Sequence, residues 1–406
     1  MTKILGPSFL VAGTAIGAGV LALPMTLAKL GLLPSIVLMV IIWLIMHYSS
    51  LVNLELNLRA GKGLPLGALG KHFSGRGGEV IGSTTLLLLT YSLMSAYLYG
   101  GTSITKDLIQ HFFNIKTNFI NVLIILTSFV SFTLALYTKW VERINRILFI
   151  SLITLFIIII INMLLNTNIS TLPLFESEAI ELNSWSLCIP VVFTSFGFQV
   201  IFHTLTNYCN KDHTVLKKVF FYGSLLTLIV YILWSVTIMS AIYNSAPEFY
   251  TQIKKGNVEV GQLIKVMSNI THWKQLKIVC WIISILAIIT SIFGVGLGLI
   301  DKWKNQLKLN IKSDFKIHLL SLMLTIIPPF IIAAIIPKAF INALAFAGMI
   351  LAIIAILLPI YLLKKSNAQG NVKTFYPLVK NKKAKELSIV FGILVITFEV
   401  MNLFGK

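Results

Sequence analysis

Two short runs of small and polar residues interrupt hydrophobic segments that lie about half the chain apart. They are Gly13-Thr14-Ala15-Ile16-Gly17-Ala18-Gly19 and Thr194-Ser195-Phe196-Gly197-Phe198-Gln199. A helix that stops near Gly13 and restarts near Gly17 leaves carbonyls unpaired on one side of the gap. On the other side it leaves N–H groups at Gly17, Ala18 and Gly19. The restarted half aims the positive end of its dipole at the gap, a geometry that binds a carboxylate. Glycine lets a ligand approach the backbone closely, and Thr14 adds a hydroxyl. Gly13 and Gly17 also fit GxxxG, a spacing that by itself only packs helices. Ahead of the second run, Pro190 suits a helix start. Thr194 and Gln199 bring hydrogen-bonding groups, and Phe196 and Phe198, flanking Gly197, can wall a flat apolar side chain.

The elements that carry these runs are membrane spans. The chain has 406 residues, 57% of them hydrophobic and 12% charged, with mean hydropathy +0.88. A soluble domain carries about 25% charge. A span needs about 20 apolar residues. Eleven fit, at about 5–29, 33–57, 80–110, 118–137, 145–165, 186–208, 218–243, 274–301, 317–336, 339–363 and 387–404. The first continues through Pro24 to Leu30 with no small-residue cleavage site, so it reads as a retained span. Unpaired backbone in lipid is costly, so each interrupted stretch must face protein, water or ligand. Interrupted helices at matching positions in two halves are the sequence pointer to a secondary transporter's binding site.

The net charge of +19 is placed by topology. With the N-terminus cytoplasmic, 23 of the 33 Lys and Arg fall on the inner side, including seven lysines between Lys364 and Lys385. The outer 166–185 loop has neither Lys nor Arg and holds Glu176, Glu178 and Glu181. That is the positive-inside pattern of an odd number of spans, with the C-terminus periplasmic. The cations then meet anionic lipid, not nucleic acid. Cys188, Cys209 and Cys280 form no framework or metal motif. No HExxH, GxSxG or Walker sequence is present, so neither a hydrolase nor a transporter with its own ATPase is indicated. No metal or cofactor and no obligate protein partner is expected. No continuous polar stripe suggests a channel.

At Ile189-Pro190-Val191-Val192-Phe193-Thr194-Ser195-Phe196-Gly197-Phe198 and at Val11-Ala12-Gly13-Thr14-Ala15-Ile16-Gly17-Ala18-Gly19-Val20-Leu21-Ala22-Leu23-Pro24 the chain resembles the bacterial aromatic amino-acid permeases, the tyrosine/tryptophan permease family. Asn145-Arg146 and Gly296-Leu297-Gly298-Leu299-Ile300-Asp301 match as well. The resemblance covers nearly the whole chain. It implies an all-α polytopic membrane protein of the amino acid–polyamine–organocation superfamily. The implied architecture is a LeuT-like 5+5 inverted repeat with broken helices 1 and 6 and a peripheral eleventh helix. Residues 1–165 would form the first repeat, 166–185 a periplasmic loop, 186–363 the second, inverted repeat, and 364–406 a basic cytoplasmic loop with helix 11. The implied activity is proton-coupled import of an aromatic amino acid across the inner membrane, tyrosine first, then tryptophan or phenylalanine. Gly17, Ala18 and Gly19 match the stretch whose N–H groups hold the substrate carboxylate. Carbonyls near Gly13 and Thr194 would receive the amino group, with Phe196 and Phe198 beside the ring.

The chain departs from the family in two places. Many members carry His after the Gly-Phe of the sixth span, where this chain has Gln199, which cannot titrate. Members often carry a lysine inside the fifth span, and none lies between Ile147 and Leu165. The remaining proton-coupling candidates are His203, one turn beyond Gln199, and Glu55 near the inner end of the second span, where pairing with an arginine competes with titration. Sodium coupling through Thr290 or Ser291 stays open as the alternative. For the other pocket walls the spacing selects Tyr91 and Ser95 in the third span, and Phe346 with Asn342 in the tenth.

Overall fold

The computed structural model describes residues 2–17, 19–136, 138–270, 274–307, 313–336, 338–368 and 373–404. Among them the regular structure is helical. The order is α1 (Thr2–Ala15), α2 (Gly19–Leu27), α3 (Leu32–Arg59), α4 (Leu66–Phe113), α5 (Phe119–Ala135), α6 (Thr138–Asn166), α7 (Leu182–Ser195) and α8 (Phe202–Tyr208). It continues with α9 (His213–Ser245), α10 (Pro247–Lys254), α11 (Val260–Ile270), α12 (Lys274–Leu307), α13 (Asp314–Ile335), α14 (Ala339–Ala352), α15 (Leu358–Ala368) and α16 (Lys382–Phe404). Eight helical stretches of the described residues are long and apolar enough to cross a membrane. The pair α1 and α2, bent by 54°, makes a ninth. The fourth and fifth expected spans are helical but shorter as apolar segments, Phe119–Ala135 and Ile147–Asn162. Among the described residues all eleven expected stretches are thus largely helical; eight are long and apolar enough to span outright, and a ninth is the bent pair.

Helix ends follow local chemistry. The Asp212 carboxylate accepts from the N–H groups of Thr214 and Val215 at 2.9 and 3.1 Å and caps α9. The 48 residues of α4 exceed what a bilayer needs. Gly75, at φ +70°, kinks the helix between a short leading arm and the span proper.

Prolines inside spans leave the carbonyl four residues back without its amide donor. The fold answers each of four such carbonyls with a side chain from another helix. Pro24 orphans Val20, whose carbonyl accepts the Trp234 indole N–H at 2.6 Å. Pro190 orphans Ser186, which accepts from Asn402 at 2.8 Å. Pro328 orphans Leu324, which accepts the Tyr91 hydroxyl at 2.7 Å. Pro359 orphans Ala355, which accepts from the Ser49 hydroxyl at 2.5 Å and the Asn53 amide at 3.4 Å. In lipid an unpaired carbonyl finds no water, so these cross-helix bonds make proline compatible with burial and lock neighbours in register. Pro190 therefore sits inside α7 and not at a helix start, the position its sequence context suggested.

α1 packs on α9, and α2 lies between α7 and α9. The contact between α1 and α9 is close: a Cβ at Gly223 would stand 2.6 Å from Val11 Cβ and 2.7 Å from the Ser8 carbonyl. α4 is the central post, touching α14, α12, α13 and α11.

Candidate substrate site

The first break falls later than the sequence suggested. α1 continues through Gly13 and Thr14 to Ala15, and α2 restarts at Gly19. Gly13 and Thr14 are helical because their hydrogen bonds stay local: the Thr14 hydroxyl donates to the Leu10 carbonyl at 2.7 Å. Gly13 faces α6, where an added Cβ would stand 2.5 Å from the Phe149 ring. Ala18 lies outside the described residues. The second break follows Ser195. Phe196 and Gly197 N–H groups turn back to the Phe193 and Thr194 carbonyls at 3.2 and 2.9 Å. A 3-10 turn over Gln199–Ile201 then leads into α8.

The two breaks meet. A Cβ on Gly19 would lie 2.7 Å from Ser195 Oγ and 2.7 Å from the Tyr231 hydroxyl oxygen. A Cβ on Gly17 would lie 2.6 Å from Ser291 Oγ, and Tyr97 lies near the same serine. The N-terminus of α2 thus opens beside the C-terminus of α7, both reach Tyr231 of α9, and Gly17 between the two halves of the first break faces Ser291 of α12. At Gly19 glycine is required because the buried Ser195 and Tyr231 side chains occupy the volume a Cβ needs, whereas at Gly17 only the rotatable Ser291 hydroxyl stands in it.

The other expected residues fall in several surroundings. The Thr194 hydroxyl lies 2.7 Å from the Leu344 carbonyl of α14, which comes close at Gly348. Phe196 is fully buried and meets Tyr231 edge-on at 5.3 Å between ring centres. Phe198, equally buried, packs on Phe202 and Phe220. Gln199 turns its Oε1 back to accept the Phe198 N–H at 2.9 Å and so caps the break. Tyr91 points to α13, holding the Leu324 carbonyl and accepting from Trp303 Nε1 at 3.2 Å. The Ser95 hydroxyl donates to the Tyr91 carbonyl at 2.7 Å. From α4 it is Tyr97 that reaches the breaks, because it lies on the face toward Ser291.

Phe346 and Asn342 line a cavity of about 740 Å³, together with Met25, Thr26, Lys29 and Lys338. It opens at the end of the bundle that carries α10 and α11. That end is clamped by Lys254, whose ammonium bonds Glu176 at 2.8 Å and Glu178 at 3.0 Å. Burial acts against both charged groups, but their attraction prevails, lowering the Glu178 pKa and raising that of Lys254. At the opposite end, His203 is half-buried on α8, 3.3 Å from the Thr204 hydroxyl. Glu55 is fully buried and paired with Arg59 at 2.8 Å. It also accepts the N–H groups of Phe375 and Tyr376 at 3.0 Å each. That carboxylate anchors the segment before α16.

The residues sequence reasoning passed over are Tyr231 and Trp234. Both are polar-tipped aromatics at mid-span, three apart, whereas such rings usually settle at the membrane interfaces. That misplacement was the available signal.

The chain is similar to known proteins along nearly its whole length. The sequence profile of the tryptophan/tyrosine permease family matches residues 1–399. The tyrosine-specific transport system 1 of Haemophilus influenzae is 32% identical over 396 residues, covering 97% of this chain and 96% of that protein. A tryptophan-specific transport protein of the same organism is 28% identical, covering 98% and 96%. Glutamine transporter 2 of Aliivibrio fischeri is 26% identical, covering 98% and 99%.

Proposed function

Because the chain belongs to the tryptophan/tyrosine permease family, a family of permeases and not of enzymes, we propose that it imports an aromatic amino acid by proton symport. Tyrosine is the first candidate, then tryptophan or phenylalanine. The carrying observation is the meeting of two helix breaks at Gly17–Gly19 and Ser195–Phe196. Free N–H groups at the start of α2 suit a carboxylate, and carbonyls at the end of α7 suit an ammonium. Together they fit the zwitterion common to all amino acids. Phe196, Tyr97 and Tyr231 supply the aromatic surroundings that favour a ring.

In this reading helices α1–α6 and α7–α15 form two inverted repeats of five spans, 1–165 and 186–363, in the inner membrane. The N-terminus is cytoplasmic and the C-terminus periplasmic. The Lys29–Lys338 cavity is the outer vestibule, and alternating access exposes the breaks first to it and then to the His203 side. His203 is the proton carrier we favour over Glu55, whose carboxylate is already committed to Arg59 and two backbone amides.

Uptake of labelled tyrosine into proteoliposomes, competed by every common amino acid, tests the reading. Competition by aromatic amino acids alone is expected, with uptake driven by an inward proton gradient and abolished by a protonophore. Competition by glutamine, the cargo named for one relative, without competition by tryptophan or phenylalanine would overturn the substrate class. Uptake that requires Na⁺ and ignores the pH gradient would overturn the coupling.

A further inference from the structure

The two breaks are held together by one hydroxyl. Tyr231 is fully buried on α9. Its hydroxyl lies 2.7 Å from the Ala15 carbonyl, at the end of α1, and 2.9 Å from the Ser195 carbonyl, at the end of α7. One turn along α9, on the same face, Trp234 donates to the Val20 carbonyl just past the first break. The α9 helix therefore splints the first break from both sides and ties it to the second. Its single proton is shared between the two helix-end carbonyls, and without it neither has a side-chain donor at this point.

We propose that Tyr231 is a positioning residue that presets the two breaks for substrate. It fixes the distance between the N–H groups of α2 and the carbonyls of α7 before any amino acid arrives, so binding does not have to order them. The proposal rests on the reading that these breaks hold the substrate. Its signature is a split between affinity and rate. Losing a buried hydrogen bond lets the preset geometry relax, so substrate affinity should fall about tenfold. The maximal rate, measured with the site filled, should change by about twofold at most.

Tyr231→Phe keeps the ring and its edge-on contact with Phe196 while removing only the oxygen. Labelled tyrosine binding and exchange are measured on purified protein, normalised to the monodisperse fraction. A roughly tenfold higher Kd and KM with a near-normal saturating rate is expected. An unchanged Kd, or a rate that falls in step with the folded fraction, would overturn the role. If Tyr231→Phe does not fold, hydrogen exchange in the unmodified protein decides. The Ile16 and Val20 amides, which bond the Ala12 and Gly17 carbonyls on the two sides of the break, should exchange slowly without substrate. Fast exchange that slows only when tyrosine binds would show that substrate, not Tyr231, orders the break. Exchange is read without any transport, so failure of the substrate assignment leaves this result standing.

Discussion

Gly19→Ala should cripple the protein, whereas Gly17→Ala should be nearly silent. At Gly19 the new methyl would sit 2.7 Å from Ser195 Oγ, 2.7 Å from the Tyr231 oxygen and 2.8 Å from Ser195 Cβ. Ordinary carbon contacts begin near 3.5 Å, so these groups must retreat by about 0.8 Å. They have nowhere to go: Ser195 and Tyr231 are buried. Overpacking of this kind costs about 1–3 kcal/mol. A shift of that size also stretches the Tyr231 bonds to Ala15 and Ser195, adding about 1–3 kcal/mol for unpaired buried groups. At 1.4 kcal/mol per factor of ten, the sum predicts at least about a 30-fold loss of uptake per folded molecule. At Gly17 the one close atom is Ser291 Oγ at 2.6 Å; the next, its Cβ, is at 3.7 Å. Rotating the serine hydroxyl relieves the clash, so uptake should stay within about threefold. Initial rates of labelled tyrosine uptake in proteoliposomes, corrected for folded protein, measure both. Combining Gly19→Ala with Ser195→Gly removes two of the three clashing atoms and should recover about tenfold. Normal transport by Gly19→Ala, or a worse defect in Gly17→Ala, would refute the close meeting of the two breaks.

Other perturbations probe the ends of the bundle. His203→Gln should keep tyrosine binding but lose accumulation against a gradient, as read by equilibrium uptake under an imposed pH difference; continued accumulation would remove His203 as the proton carrier. Glu55→Gln leaves Arg59 buried without its carboxylate, at a cost of about 3–5 kcal/mol, and should lower the melting temperature and expose the 373–381 segment to protease. At the other end, Glu178 has a lowered pKa, so its pairing stabilises the fold above its ordinary value near 4.5 and is lost as pH falls through the lower folded value. Lys254, with a raised pKa, contributes below its ordinary 10.5. Lys254→Met should therefore cost about 1 kcal/mol at pH 7, and thermal melts of mutant and parent should converge as the pH falls below the lowered pKa of Glu178.

The two breaks, the spans and the basic loops were readable from the chain because lipid imposes a local grammar. About 20 apolar residues mark a span, and small residues in mid-span mark backbone freed from helix. The place of the first break was not readable. Gly13-Thr14 and Gly17-Ala18-Gly19 look equally able to interrupt a helix, and only the neighbours decide between them. Thr14 can bond back to Leu10, whereas Gly19 has Ser195 and Tyr231 filling the space of any side chain. Tyr91 shows the same limit. Its spacing with Ser95 placed it on a helix face, but Pro328, 237 positions away, created the orphan carbonyl that claimed its hydroxyl. Likewise Glu55 read as a titratable group at membrane depth, until Arg59 and the amides of Phe375 and Tyr376 filled its valences. Local sequence decided which backbone groups would lack partners. Tertiary structure decided which distant side chains supplied them, since a hydrogen bond across helices depends on packing that no local pattern records.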